Sequence, residues 1–480
     1  MEIRYGLNAT PKQMGWWNYL ACCLQQMLAI MAATILVPII VSGNGIDLSP
    51  AAALAGAGIG TIVYLLFTKR KSPVFLGSSF AFLGAMCAAA TAGYGYWGLI
   101  IGAVFAGLVY VILSIIVKIT GSGWVNKLMQ PVIIGPTVAL IGLSLSGTAG
   151  DWAMHNGASG DNAYNLISIL CAVVTFIIIV VASSKGNKTM KLIPFVIGIC
   201  GGYVLALIFS IIGLVANVAY LQVLDLSIFE KAFSGAFNFS MILDLPKFTI
   251  VEAFKQGWNL DGAAIGSLAL MFAPIAFVVF AEHIADHKNL SSIIGIDLIS
   301  NPGLHRTLLG DGIGSIAGAL VGGCPNTTYG ESIACVAITG NASTWTILGS
   351  AVACIILSFF TPFVVLVNSI PKCVMGGACI ALYGFIAVSG LKMLKNIDLG
   401  ENKNLFVVSA ILITGIGGIS LNFGQVTITP IAVALIVGIL TNLILGGFSK
   451  KGIIDASKTE EPTLKDSDTT TLSQDSDINK

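Results

Sequence analysis

Fourteen apolar runs, set apart by short polar turns, constrain this 480-residue chain more than any other feature. They fall at about 16–42, 48–68, 73–92, 96–120, 126–147, 164–184, 191–218, 263–287, 307–323, 326–341, 344–368, 373–392, 404–421 and 427–448. Roughly 20 apolar residues cross a bilayer as a helix, and hydrocarbon admits only helices or closed barrels as spanning structures. The chain therefore reads as an all-α polytopic membrane protein. Its 10% of charged residues, against about 25% in soluble domains, agrees. The first run is too long for a signal-peptide core and lacks an Ala-x-Ala exit, so it is expected to remain as a span.

The cations orient these runs. With the N-terminus inside, all 24 lysines and arginines except Lys231, Lys247, Lys255 and Lys372 fall in inner segments, as the positive-inside rule asks. An even number of spans follows, with both termini cytoplasmic and the chain in the cytoplasmic membrane. The longest outer connection, about 219–262, carries short amphipathic pieces and divides the spans seven and seven, which makes the two halves inverted repeats. From Lys450 onward Ser, Thr, Asp, Glu and Lys replace the apolar residues, the composition of a disordered tail. A net charge of +1 argues against nucleic acid as a partner. The ten cysteines form no Cys-x-x-Cys pair and lie in or beside apolar runs, so neither a disulfide framework nor a metal site is expected, and no cofactor. No metal cluster, nucleophile elbow or phosphate loop suggests an enzyme. No span has the continuous polar face of a channel.

Two short stretches stand out from this scaffold. The first ends the eighth run and brings Glu282, His283, Asp286 and His287 together. Ionisable groups in a membrane segment are costly and are usually retained for function, and no cation in that run pairs with Glu282. The second is Asn326-Thr327-Thr328-Tyr329-Gly330-Glu331, which matches Gly77-Ser78-Ser79-Phe80 in the third span of the first half. Each is small, polar and then aromatic, with glycine or proline nearby, so a continuous helix is disfavoured. Paired broken segments in inverted repeats mark a transporter's midplane site, because unwound backbone offers N–H and C=O groups to a solute. Such residues also simply let helices pack closely, and Glu331 can cap the following half-helix.

Two carboxylates with hydroxyls and backbone amides suit a neutral, planar solute rich in N–H donors, and a carboxylate there can also couple a proton to it. His283 points about 100° away from Glu282 around a helix and is expected to pack or hydrogen-bond. Asp286, at i+4, shares the face of Glu282; the two can share a proton, since two nearby negative charges are not both favoured. His287 would then accept it at the water boundary, where a histidine suits a shuttle. Alternatively, Asp286 and His287 form a cytoplasmic-end polar pair with no part in transport.

At these residues the chain resembles the nucleobase–ascorbate transporter family, in its bacterial uracil permease branch, from the first span to about residue 448. The likeness rests on Gln25, Leu76-Gly-Ser-Ser-Phe-Ala-Phe82, Ala281-Glu-His-Ile-Ala-Asp-His287, Asn301-Pro-Gly-Leu-His-Arg306, Pro325-Asn-Thr-Thr-Tyr-Gly-Glu331 and Val374-Met-Gly-Gly377. It implies short antiparallel strands in spans 3 and 10. The core would comprise 1–120 (spans 1–4) and 263–370 (spans 8–11), and the gate 121–219 (spans 5–7) and 371–448 (spans 12–14). The segment 220–262 would be an extracytoplasmic connection and 449–480 a cytoplasmic tail. It also implies import of uracil or a close nucleobase with a proton by alternating access, commonly as a homodimer in membrane lipid. Glu282 and Glu331 would bind the ring, Phe80 and Tyr329 would supply backbone and aromatic contacts and Gly330 a backbone contact, with Ser79 and Thr328 beside them. The alternatives are a xanthine or purine permease of the same family and an anion transporter of the same fold. The chain departs from the family pattern at Gln26 and Asp286, where that pattern has histidine, and at Ala334 and Gly340, where it has glycine and arginine.

Overall fold

The computed structural model describes residues 3–121, 123, 130–156, 163–234, 237–423 and 426–448. The expected tail at 449–480 and the predicted start of span 5 lie outside them. The described chain is mostly helical, and eight of its helices are each long and apolar enough to cross a membrane. The other spans are shorter or built from two pieces.

Local sequence explains the helix ends. Span 1 (Trp16–Ser42) is followed by span 2 (Pro50–Phe67), which Ser49 caps through the Ala52 N–H while Pro50 fills the first turn, where a missing N–H costs nothing. Span 3 is a strand, β1 (Leu76–Ser78), then a tight turn (Phe80–Phe82) and a half-helix (Leu83–Thr91). Span 4 is Gly95–Thr120; span 5 is Pro131–Ser144 continued by Ser146–Met154; spans 6 and 7 are Leu166–Lys185 and Pro194–Val215. The connection carries short helices at Ser227–Phe233 and Thr249–Gln256. Span 8 (Gly262–Ile294) starts from Asp261, whose side chain accepts from Ala264 N. Span 9 is Leu304–Gly322, and span 10 is a strand, β2 (Asn326–Thr328), with the half-helix Gly330–Thr339. Spans 12 to 14 are Lys372–Met393, Asn402–Ile416 and Pro430–Phe448.

Three boundaries differ from expectation. Span 8 does not end at His287. It runs a further two turns because Leu290 continues the buried face, and it stops at Gly295, which takes the left-handed conformation at φ 68°, a glycine's usual place after a helix. Span 11 is broken into Thr344–Ser358 and Thr361–Asn368, with Pro362 in the first turn of the second piece. Span 13 ends at Ile416, followed by Gly418 at φ 69°, and a hairpin of Leu421–Phe423 with Val426–Ile428 precedes span 14.

The helices pack in two groups, spans 1–4 with 8–11 and spans 5–7 with 12–14. Small residues make the closest approaches, as in membrane helix pairs generally. Gly56 and Gly60 of span 2 lie against Gly318 and Gly314 of span 9, where a Cβ on Gly314 would sit 2.8 Å from the Gly60 carbonyl oxygen. In the second group Gly135 of span 5 meets Gly390 of span 12. Inside the first group, Phe82 stacks on Phe272 with ring centroids 5.9 Å apart. That contact ties the half-helix of span 3 to span 8, the helix that carries Glu282.

Candidate functional site

The two broken segments meet. β1 and β2 pair antiparallel, with Leu76 opposite Thr328, Gly77 opposite Thr327 and Ser78 opposite Asn326. Bonds from Ser79 N to Pro325 O (2.8 Å) and from Tyr329 N to Phe75 O (3.2 Å) extend the pair at both ends. A buried strand leaves edge groups that need partners, and the first helix group supplies them. Leu76 N donates to Thr61 Oγ1 at 2.9 Å, and Asn326 Nδ2 donates to Gly56 O at 3.1 Å. Phe75 N donates to Ser332 Oγ at 3.0 Å, and Gln26 Nε2 of span 1 donates to the same oxygen. Gln26 thereby holds the first turn of the half-helix that begins at Gly330.

Tyr329 locks the pair. Its ring lies across Gly77, where a Cβ would come within 2.9 Å of Tyr329 Cε1, and its hydroxyl donates to Ser78 O at 2.7 Å. The ring is thus held within the scaffold. Phe80 is only half-buried and meets Tyr383 of span 12 edge-on, with centroids 6.2 Å apart.

An opening of about 520 Å³, counted out to where it meets solvent, lies between the two helix groups at this point. Ser79, Phe80, Thr327, Thr328, Tyr329, Gly330, Glu282 and Glu331 line one wall, and Val138, Ile141, Leu382 and Ile386 of spans 5 and 12 line the other. Among the described residues, no lysine, arginine or histidine lines it. Both half-helices begin beside it, and the first N–H groups of a helix have no partner within the helix. The wall on the strand side therefore presents acceptors at the two carboxylates and donors at the helix starts; the facing wall is aliphatic. A second opening of about 600 Å³ shares Glu331 and runs along spans 1 and 7 past Leu28 and Val196 to Lys191.

Asp286 and His287 lie elsewhere. Asp286 is one turn beyond Glu282 and accepts from Thr328 Oγ1 at 2.7 Å, which ties span 8 to β2. His287 is not at a water boundary; it is fully buried. Its Nε2 lies 2.7 Å from the Tyr64 hydroxyl and its Nδ1 2.7 Å from the His283 carbonyl oxygen. The reason is the longer span 8, which places His287 inside the helix and against span 2. His283 is hydrogen-bonded in the interior, as expected, with Nδ1 2.7 Å from Asp311 Oδ2 and Nε2 3.0 Å from Thr307 Oγ1. The two histidine rings stack with centroids 4.1 Å apart.

Asp311 was missed in the sequence. It is 1% exposed in the middle of span 9, and Gly310-Asp311-Gly312 carries part of the signal that marked Glu282: a carboxylate set among apolar and small residues. Gln26 stands in the sequence as a departure from the family pattern, and a glutamine in a long apolar run needs a polar partner, which here is Ser332. Among the described residues no group of three or more His, Cys, Asp or Glu could hold a metal ion.

Residues 18–424 match the sequence model of the Permease family. The uracil permease of Bacillus subtilis (strain 168) is 36% identical over 449 residues, 92% of this chain and 95% of that protein. The uracil permease of Bacillus caldolyticus is 40% identical over 437 residues, 90% of this chain and 93% of that one. Among solved structures, the transmembrane domain of a cyanobacterium bicarbonate transporter, BicA, superposes with a TM-score of 0.57 at 16% identity, over 88% of this chain and 97% of its own. At that identity the likeness is one of fold.

Proposed function

The chain belongs to the Permease family, and from that premise we propose that it is a proton-coupled symporter importing uracil, or a close nucleobase, by movement of spans 1–4 and 8–11 as a core against spans 5–7 and 12–14 as a gate. It is an integral multi-pass membrane protein, and its family and relatives are permeases, not enzymes. One observation carries the reading: Glu282 and Glu331, from different spans, line one opening between the two helix groups, beside two half-helix starts.

The chemistry of a pyrimidine fits this wall. Uracil presents two ring N–H donors and two carbonyl acceptors in one plane. The carboxylates of Glu282 and Glu331 accept from the N–H groups, and charge-assisted bonds of this kind are the strong ones. Backbone N–H groups at the helix starts near Phe80 and Gly330 receive the carbonyls, with Ser79 and Thr328 beside them. The C5–C6 edge then faces the aliphatic gate wall, and the ring of Phe80 covers one side. An anion is the poorer cargo, because among the described residues no cation lines the opening and both carboxylates repel it.

Coupling rests on Glu282, with Asp286 one turn away to share its proton. His287 lies buried against Tyr64 and not at bulk water. The second opening, reaching Lys191, gives the site an exit on the side that the cation bias assigns to the cytoplasm. The protein then sits in the cytoplasmic membrane with both termini inside, as a homodimer. Uptake of labelled uracil into proteoliposomes tests the whole. It is expected to rise when the outside is acidified, to vanish with a protonophore, and to lose accumulation against a gradient in Glu282→Gln. Sodium dependence at a fixed pH gradient, or concentrative uptake by the mutant, overturns the coupling. A competition panel of uracil, thymine and xanthine decides the base.

A further inference from the structure

An apolar cleft of about 680 Å³ lies between span 1, span 7 and the second piece of span 11, apart from the site of the two carboxylates. Its floor is buried: Ala32 is 2% exposed, Ile35 3% and Val367 5%. Its rim is open, with Val204 54% and Leu366 46% exposed, and Cys200 exposed beside them. The hydroxyls within reach are already engaged. Tyr203 Oη and Ser369 Oγ lie 2.8 Å apart, and Ser369 Oγ also donates to Leu366 O at 2.8 Å.

We propose that this cleft binds one acyl chain of a bilayer phospholipid, which enters sideways between the two helix groups. The cleft is open at its rim and lined almost wholly by apolar side chains, and among the described residues that line it there is neither an ion pair nor a free hydroxyl donor for a nucleobase, a sugar or a headgroup. Two of its walls, Trp16–Ser42 and Pro194–Val215, are helices long and apolar enough to cross a membrane, so hydrocarbon stands at the Cys200 rim. Its position gives the occupant an effect. Spans 1 and 11 belong to one helix group and span 7 to the other, and Val196 lines both this cleft and the opening that reaches Glu331. A chain lodged there is a wedge on the boundary across which the groups slide, so the rate of exchange follows its occupancy. Binding itself does not depend on which base is carried.

The full-length protein in liposomes of phosphatidylcholine and phosphatidylglycerol, with a fraction of the phosphatidylcholine carrying a photoreactive diazirine on one acyl chain, provides the test. After irradiation and digestion, adducts on residues 196–204 and 363–370 are expected to exceed, several-fold, those on the equally exposed lipid-facing residues Ile177, Val180 and Val181 of span 6. Ala32→Phe, which fills the floor, is expected to remove the cleft adducts, leave those on span 6 and change the uptake rate. Cys200→Trp plugs the exposed rim without repacking the interior and serves if Ala32→Phe does not fold. Uniform labelling of all lipid-facing surfaces, or cleft labelling unchanged by either variant, overturns the proposal.

Discussion

Replacing Gly77 with alanine tests whether the crossed strands are the rigid element on which the site is built. A Cβ at this position would lie 2.9 Å from Tyr329 Cε1 and nearer still to its neighbours in the ring, inside the distance that carbon atoms tolerate. The ring cannot simply yield, because its hydroxyl is tied to Ser78 O at 2.7 Å. Overpacking of a filled interior costs about 1–3 kcal/mol, and loss of the hydroxyl bond adds about 1 kcal/mol. Gly77→Ala is therefore expected to destabilise by roughly 2–4 kcal/mol, and Tyr329→Phe, which loses only the hydroxyl bond, by about 1 kcal/mol. Thermal unfolding of the purified protein in detergent, with and without saturating uracil, ranks them. Displacing Tyr329 also shifts Gly330 and Glu331, so Gly77→Ala should weaken uracil binding as well as stability. The sharper check is a cycle with Tyr329→Ala. That change removes the ring the new methyl would strike, so the double variant should lose less than the sum of the singles, with a coupling of about 0.5–3 kcal/mol. Wild-type stability and uptake in Gly77→Ala, or additive losses in the cycle, refute the packing argument.

Other perturbations address single groups. Glu331→Gln replaces a charged acceptor with a weaker one, a change of about 1.5–3 kcal/mol, so uracil affinity measured by calorimetry should fall about tenfold or more; equal binding would sink the assignment. Asp286→Asn keeps an acceptor for Thr328 Oγ1 but cannot exchange a proton, so it should preserve the melting temperature while flattening the pH dependence of uptake. If Asp286→Asn and His287→Ala both keep the wild-type pH profile and rate, Glu282 exchanges its proton with water directly. Asp311→Ala leaves His283 short of a partner in the interior, a loss of about 1–3 kcal/mol, and should lower thermal stability whether or not uracil is present. Unchanged stability there would show that the buried pair is not structural.

Much of the architecture was legible because bilayer physics compresses the choice of structure. Hydropathy located the spans, and glycine and proline marked where spans 3 and 10 break. What misled was the end of span 8. Lys288-Asn289 reads as the start of a polar turn, yet Leu290 continues the buried stripe and only Gly295 stops the helix. An error of seven residues in the end of the helix thus became an error in environment for His287, from solvated to fully buried. Asp311 and Gln26 were overlooked for another reason: their partners, His283 and Ser332, are 28 and 306 residues away, and no local pattern pairs them.

By itself, the sequence determined that the chain is a polytopic helical membrane protein with two broken segments and two carboxylates, because the cost of placing polar groups in hydrocarbon is written residue by residue. Only the tertiary structure decided what those groups face. The antiparallel crossing of β1 and β2, the ring of Tyr329 closed over Gly77, and the division of carboxylates and aliphatic side chains between two walls all depend on helices from opposite halves of the chain. Glycine contacts such as Gly60 with Gly314 bring those helices together, and close packing is a property of pairs of surfaces, not of either sequence alone.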